Sequence, residues 1–352
     1  MTLTQRRKRA PRFLEIAAAA GVSASTVDRV LNERGSVSER ARAAVLAAAQ
    51  RLGAPRILPN AAHALIHIDA LLPDSRTPFF LRLRDALAGS AAWLDKRVVV
   101  HRRIYREGDE KALVKAILEP GYRRRGLIVA APDTAKIRDA LRTVVTRGEG
   151  AASVVSRIAD GANVAYCGID NYRAGRTAGL LLGRFARQPG RVMFLMGSSN
   201  WEAHQERTRG ARDALREGSR DLICDEEPFE TLDDADRGYL AVAEALRAGP
   251  LAGLYNSGAG SAGVMRALER FDPERRVVWI SHELSDDHRA YLQDGALAMA
   301  IDQDPDIQVF SALRWLVERS EPGGANTTAP SGCEFRLYFA ENLREGPYLA
   351  PR

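Results

Sequence analysis

The feature that most constrains the fold of this 352-residue chain is an alternation of short apolar runs with longer amphipathic stretches. The runs have the length of β-strands: ALIHIDALL, VVVHRRIY, GLIVAAP, ASVVS, VAYCGI, RVMFLMG, LAGLYN, VVWISH and ALAMAI. Such runs, separated by helical segments of about ten to fifteen residues, are typical of parallel sheets covered by helices on both faces. About nine or ten strands exceed what one sheet usually holds, so we expect two α/β subdomains.

The stretch before these runs follows a different pattern, which predicts three short helices. FLEIAAAA has a helical pattern, Gly21 can end it because glycine tolerates a positive φ, and Ser23 can cap the next helix. Ser36 and Glu39 have the spacing of a capping box for a third helix, and Ser38 is an equally plausible cap. Helix, tight turn and helix therefore open the chain.

Positive charge is concentrated in the same N-terminal segment. Its first 56 residues contain eleven Lys or Arg and four acidic residues, a net +7, whereas the whole chain carries +6. This distribution is typical of a domain that contacts the phosphate backbone of DNA. Within GVSASTVDRVLN, polar side chains recur on one side of the predicted helix, as a helix in the major groove requires.

From this pattern we expect Ser25 and Arg29 to read base edges. The residues expected to contact phosphates are Ser23, Thr26 and Asn32. The alternative is a helical hairpin inside a core, in which Ser25 and Arg29 would be incidental surface residues.

GVSASTVDRVLN followed by VSERARAAVLAAAQRLG resembles the DNA-binding headpiece of the lactose-repressor/galactose-repressor (LacI/GalR) family, and the likeness continues to about residue 340. It implies a small all-α helix-turn-helix headpiece followed by an α/β core shaped like the type I periplasmic binding proteins, with two doubly wound parallel-sheet subdomains. We expect the headpiece at 1–56, the linker at 57–63 and the core at 64–340. The first subdomain is expected at about 64–168 and 303–322, and the second at about 171–300 and 333–340.

The resemblance also implies roles within the headpiece. The implied base-reading positions are Ala24, Ser25 and Arg29. The implied backbone contacts are Phe13, Ser23, Thr26, Asn32 and Ser36. Two features depart from the family pattern. Asp28 stands where most members carry a serine that faces phosphate, and Pro59-Asn60-Ala61 replaces the Ala-Arg-x-Leu pattern of a hinge helix that wedges the minor groove.

Candidate ligand-binding residues follow the predicted strands of the core. Sugar sites combine aromatic faces, which cover the C–H side of a ring, with planar polar side chains that bind adjacent hydroxyls. Parallel sheets bind ligands beyond the carboxyl ends of their strands. The candidates are Phe79, Phe80, Arg157, Trp201, Arg207, Asn256, Glu283 and Gln303. The resemblance supports all of them except Trp201. The alternative for Phe79 and Phe80 is that they pack in the hydrophobic core without contacting a ligand.

The motifs predict no catalytic residues, no metal site and no cofactor, and hence no enzyme. Ser281-His282-Glu283 is contiguous, so its side chains alternate between the faces of a strand and cannot form a catalytic relay. The GAGS sequence after LAGLYN lacks the P-loop lysine. The cysteines, Cys167, Cys224 and Cys333, are widely spaced and form no CxxC, which argues against a disulfide framework or structural zinc and fits a reducing compartment.

These observations predict a cytoplasmic, homodimeric transcription regulator, expected to be a repressor. A small sugar or polyol would control its affinity for a pseudo-palindromic double-stranded DNA operator. We expect no membrane association, because Glu15 interrupts the apolar run after RRKR and no run reaches the ~18 apolar residues of a membrane span. The dimer follows because one headpiece covers only half of a two-fold operator. The alternatives are a sugar-binding protein of a transport system and a carbohydrate-active enzyme carrying a helix-turn-helix.

Overall fold

The computed structural model describes residues 13–31, 37–52, 65–92, 94–158, 164–219, 221–321, 323–343 and 346. The predicted linker, Asn32, Ser36 and the basic segment before Phe13 lie outside these residues. Within the described ranges, the helices are too short or too polar to cross a membrane.

Three helices form the headpiece, which has a core of its own. They are α1 (Phe13–Ala20), α2 (Ala24–Leu31) and α3 (Glu39–Arg51). Gly21 ends α1 with a φ of +65°, and Ser23 Oγ accepts a hydrogen bond from the Thr26 N–H at 3.1 Å. Ser38 caps α3, because its hydroxyl accepts from the Ala41 N–H at 3.3 Å. The buried core residues are Ile16, Ala17, Val27, Val30, Leu31, Val45, Ala48 and Ala49.

The first subdomain is built on five parallel strands. They are β1 (Ile66–Pro73), β2 (Val98–Tyr105), β3 (Gly126–Val129), β4 (Gly150–Ser153) and β5 (Val164–Tyr166), in the order β2-β1-β3-β4-β5. The covering helices are α4 (Pro78–Gly89), α5 (Glu110–Leu118), α6 (Ala135–Thr146) and α12 (Pro305–Ser320). Ile68, Ala70 and Leu72 pack towards α4 and α12, whereas Leu71 packs towards α5 and α6, as strand alternation requires.

The second subdomain is built on a larger sheet. Its strands are β6 (Gly190–Met196), β7 (Leu222–Cys224), β8 (Phe229–Glu230), β9 (Leu251–Asn256), β10 (Val278–His282), β11 (Met299–Asp302) and β12 (Arg336–Tyr338). The order is β12-β11-β10-β9-β6-β7, with β8 paired to β6 and β12 antiparallel to β11. Its helices are α7 (Asn171–Phe185), α8 (Glu202–Gly218), α9 (Ala235–Ala248), α10 (Ser261–Phe271) and α11 (Asp286–Gln293). The predicted α/β architecture of two parallel-sheet subdomains is confirmed.

Three crossover segments join the subdomains. The chain passes from β5 to α7 through residues 167–170, from β11 to α12 through 303–304, and from α12 to β12 through 321–335. The first and third lie side by side, since the Cys333 N–H donates to the Gly168 carbonyl at 2.8 Å. The sequence EPGGANTTAPSG belongs to the third crossover.

Candidate functional site

The exposed face of α2 is polar. Ser25 and Arg29 are exposed, and the apolar side chains of the helix face the headpiece core. The hydroxyl of Ser23 lies 2.9 Å from that of Ser25 and 2.8 Å from that of Thr26. These three hydroxyls lie together where α2 begins, so short polar groups and one arginine are presented to solvent on a rigid helix.

The remaining predicted DNA-contacting residues are less exposed or lie outside the described residues. Phe13, Ala24 and Thr26 are half-buried, and Phe13 and Ala24 pack against the headpiece core. Asp28, which departs from the family pattern, is half-buried as well.

A cavity of about 540 Å³ lies between the two subdomains. It is lined from the first subdomain by the segment 75–80, which follows β1, and from the second by residues after β6, β9 and β10. The strand order reverses at β1 in the first sheet and at β6 in the second sheet. The cavity therefore has the position that open α/β sheets use for ligands, beyond the carboxyl ends of strands at the switch point.

Aromatic side chains line one part of the cavity. The rings of Phe79 and Phe80 meet edge to face at a centroid distance of 5.5 Å, and Phe80 lies 5.8 Å from Trp201. All three are nearly buried and belong to the core cluster of the first subdomain, while still lining the cavity. Trp201 Nε1 donates to Glu107 Oε1 at 2.9 Å, so a side chain that begins α8 is bonded across to the first subdomain.

Arg207, on α8, is the central cation of the cavity wall. Its Nε donates to Asn171 Oδ1 at 2.8 Å, Nη1 to the Ser257 carbonyl at 3.0 Å, and Nη2 to Gln303 Oε1 at 2.5 Å. Gln303 Nε2 in turn donates to Glu283 Oε1. The network joins Asn171, which directly follows the first crossover, to Gln303 in the second crossover.

Two predicted ligand-binding residues are not among those that line the cavity. Arg157 is exposed, and its guanidinium lies over the Tyr166 ring at 4.6 Å. Asn256 is buried at the end of β9, where its side chain bonds the Ala259 carbonyl, the Ser261 hydroxyl and the Gly258 N–H. The structure thus brings together Phe79, Phe80, Trp201, Arg207, Glu283 and Gln303, whereas Asn256 shapes the loop behind them.

Three histidines line the cavity that sequence patterns did not select. Burial, together with the charge of Arg207, lowers the pKa of His204 to about 3. Burial also lowers the pKa values of His282 and His288, that of His282 well below its ordinary value. All three rings are therefore neutral at physiological pH. Only their position after predicted strands or in a following helix pointed to them, and a buried core histidine gives the same signal.

The ionisable lining of the cavity is predominantly acidic. The carboxylates are Glu107, Asp233, Glu283 and Asp287, and the cations are Arg76 and Arg207. Arg207 already bonds three protein groups. Burial raises the pKa of Asp233, although the N–H of Ala259 donates to it and opposes this rise. The charged side chains that line the cavity are thus four carboxylates and two arginines, which favours a ligand that donates hydrogen bonds. Across the described ranges, no three His, Cys, Asp or Glu side chains are grouped to hold a metal ion.

Comparisons with protein families match two parts of the chain. Residues 13–53 match the family described as "Bacterial regulatory proteins, lacI family". Residues 68–323 match the "Periplasmic binding protein domain". A comparison with curated protein sequences gives no significant match.

Solved structures share the fold of the core. The glucose-galactose binding protein GanP from Geobacillus stearothermophilus has a TM-score of 0.70 at 18% identity, over 79% of this chain and 99% of its own. A solute binding protein from Burkholderia graminis, in complex with D-arabinose, has a TM-score of 0.70 at 19% identity, over 81% and 99%. A protein from Bacillus halodurans with bound myo-inositol has a TM-score of 0.68 at 15% identity, over 80% and 96%.

Proposed function

Because the chain belongs to the periplasmic binding protein domain family and carries the DNA-binding domain of the lacI family, it is a DNA-binding regulator, and we propose that a neutral sugar or polyol controls its operator affinity. We further propose that it acts in the cytoplasm as a homodimer and as a repressor, without turning over its ligand. The single observation that carries the proposal is one cavity, lined by both subdomains, that combines an aromatic wall with buried polar groups.

The DNA-facing half of the proposal rests on α2. Ser25 and Arg29 project from its exposed face, which fits direct readout in a major groove. Ala24 lies beside them at the start of the helix, where the backbone can approach the bases. The proposed backbone contacts are Phe13, Ser23, Thr26, Asn32 and Ser36. Two such headpieces on a dimer would match the two halves of a pseudo-palindromic operator.

The effector half rests on the chemistry of the cavity. Phe79, Phe80 and Trp201 can cover the C–H face of a sugar ring, and Glu283 and Gln303 can bind its hydroxyls. Arg207 holds these polar groups in place from behind. The solved structures of similar fold include proteins described with D-allose, D-arabinose or myo-inositol bound, which makes these compounds suitable first probes.

Coupling between ligand and DNA would run through the subdomains. A ligand held between them favours their closed arrangement, and operator affinity changes by the free-energy difference that the ligand makes between states. Couplings of this kind are typically about 1–3 kcal/mol, or roughly 5- to 150-fold in affinity.

The proposal is tested with the full chain in two steps. Thermal unfolding is measured with D-glucose, D-galactose, D-allose, D-arabinose and myo-inositol, and a compound at 100 times its Kd should stabilise by about 2.7 kcal/mol. DNA selected from a random library then reports operator binding with and without that compound. Glu283→Gln should abolish the stabilisation, whereas Asp286→Asn, just outside the cavity, should preserve it.

The two halves of the proposal fail separately. Operator binding without stabilisation by any of the five compounds would contradict the effector assignment. Failure to select any DNA sequence, with ligand binding intact, would contradict the regulatory assignment.

A further inference from the structure

His288 is a cavity residue whose protonation pattern is set by the backbone. It lies in the first turn of α11 and is 4% exposed. Its Nδ1 lies 2.5 Å from the carbonyl oxygen of Glu283. A carbonyl only accepts, so Nδ1 carries the ring proton. Burial lowers the pKa of this ring, although the Glu283 carbonyl, the charge of Asp287 and the His282 backbone oppose the shift, so the ring is neutral and Nε2 is left as an unprotonated acceptor.

The Nε2 atom of His288 has no hydrogen-bond partner among the described residues, although it is buried. The same holds for Nδ1 of His282, whose other ring nitrogen lies 2.6 Å from the Tyr255 hydroxyl. Both residues line the cavity. An unsatisfied buried polar atom costs stability, so two of them beside one cavity call for an explanation.

The surroundings of His288 hold its ring in one orientation. Ser285 caps α11, and its hydroxyl accepts from the His288 N–H at 3.2 Å. The rings of Trp279 and Tyr291 lie 6.0 and 6.2 Å away. Glu283 supplies the orienting carbonyl from a φ of +70°, an unusual value for a residue with a side chain. Backbone strain of this kind concentrates at binding sites, where it positions groups for a ligand.

We propose that His288 Nε2 accepts a hydrogen bond from a hydroxyl group of the bound sugar or polyol, with His282 beside it as a second reader. This assignment rests on the proposed function of the same cavity. It makes the wall formed by β10 and α11 a specificity determinant. A ligand whose matching hydroxyl is replaced by hydrogen leaves the acceptor unpaired and binds more weakly.

The test uses the compound among the five probes that binds the full chain most tightly, with affinity measured by calorimetry. His288→Phe keeps a ring of similar shape but removes the acceptor, and it should weaken binding by about tenfold or more. His288→Gln places an amide oxygen there and should recover part of the affinity. The control is His101→Phe on β2, where the ring contacts His67 and Tyr122 away from the cavity, and it should bind the probe like the wild type.

Two further measurements separate a binding role from a structural one. The ligand-free His288→Phe protein loses the Nδ1–H bond to the Glu283 carbonyl as well as the unpaired Nε2, so its thermal unfolding is measured first and its affinity is compared at a temperature where it is fully folded. In ¹⁵N spectra of histidine-labelled protein, His288 should show the Nδ1–H tautomer, and its Nε2 resonance should move when the probe is added.

Equal affinity of wild type and His288→Phe would overturn this inference and leave the proposed function intact. So would an Nε2–H tautomer. Failure of all five probes to bind the wild type would overturn the proposed ligand class, and the role of His288 with it.

Discussion

Arg207 joins the cavity to two of the three crossovers. Its guanidinium bonds Asn171 at the start of α7, Gln303 after β11 and the carbonyl of Ser257 after β9. Only 3% of the residue is exposed, so protein groups rather than solvent satisfy the charge. A substitution of Arg207 would therefore disturb the shape of the cavity and the crossovers together, and loss of ligand binding alone would not establish a direct contact.

Arg29 is expected to carry sequence information to the operator. Arg29→Ala should weaken binding to the selected operator by about 1–3 kcal/mol and relax the preference at one base pair. The matched change Arg7→Ala, in the basic segment, should instead weaken all DNA sequences alike and reduce the salt dependence. Anisotropy titrations against the operator and single-base variants, at several salt concentrations, distinguish the two. Identical behaviour of both variants would remove Arg29 from base reading.

His204 makes stability depend on pH. In the unfolded chain it takes up a proton below about pH 6.5, whereas burial lowers the native pKa to about 3. Acidification from pH 6.5 towards 3 therefore favours the unfolded state, by a slope that approaches about 1.4 kcal/mol per pH unit. Denaturant unfolding should show that the free energy of unfolding falls less from pH 7.5 to pH 5 in His204→Gln than in the wild type. Equal losses would show that His204 is protonated in the native state.

For single residues, the sequence could identify side chains with a suitable chemistry but not the direction in which they point. Phe79, Phe80 and Arg207 follow strands, and their types suit a sugar site. Asn256 also follows a strand and has a suitable side chain, yet its amide bonds the backbone of Gly258 and Ala259 in the next loop. The histidines were not selected because their chemistry depends on burial and, for His288, on the backbone carbonyl of Glu283, which no residue pattern records.

Among the elements, α7 and α8 are packed unusually closely. A Cβ at Gly175 would overlap the carbonyl oxygen of Arg207, and one at Gly179 would overlap that of Ala211. The two helix backbones can approach this far only because both positions lack a side chain. Gly175 lies one turn after Asn171 on α7 and meets the backbone of Arg207 itself. The close approach of the two helices therefore sets how far the Arg207 side chain reaches into the cavity.

Gly175→Ala should therefore destabilise the fold, by about 1–3 kcal/mol or more, because the clash is with backbone that cannot rotate away. Gly218→Ala, at the end of α8, meets no atom within 4 Å and should be neutral or slightly stabilising. Denaturant midpoints of the two variants provide the comparison. A Gly175→Ala protein as stable as Gly218→Ala would contradict the close packing of these helices.

The nine apolar runs correspond to nine of the twelve strands in the described structure. The other three, β7, β8 and β12, contain two or three residues each. In the second sheet β12 forms one edge, and β7 and β8 pair with β6 towards the other. Such short strands are defined by pairing with a neighbour rather than by their own periodicity, so no local pattern could reveal them. The cap of α3 illustrates the same limit, since Ser36 and Ser38 were equivalent in sequence.

For the molecule as a whole, the acidic lining of the cavity restricts the charge of the ligand. At the cavity the exposed carboxylates Glu107 and Asp287 outnumber the exposed cation Arg76, and Arg207 is already bonded, so an anion would be repelled. For any hexose that binds, its 6-phosphate should bind at least about tenfold more weakly. Calorimetry with each pair of compounds measures this. The double variant Glu107→Gln, Asp287→Asn should reduce the difference in affinity between the hexose and its 6-phosphate. A phosphate ester that binds the wild type more tightly than the hexose would contradict the proposal of a neutral ligand.

The position of Arg207 between cavity and crossovers also bears on how such a sensor could acquire a new ligand. Substitutions around Asn171, Arg207 and Gln303 alter recognition and the joint between the subdomains at once, so each would disturb the response along with the preference. Glu283 is bonded to Gln303 and shares this constraint, whereas the His288 ring bonds the backbone of Glu283 and Asp287 is an exposed residue of α11. Changes of ligand preference, in nature or in a biosensor library, should therefore concentrate on His288 and Asp287 and leave Arg207, Gln303 and Glu283 unchanged.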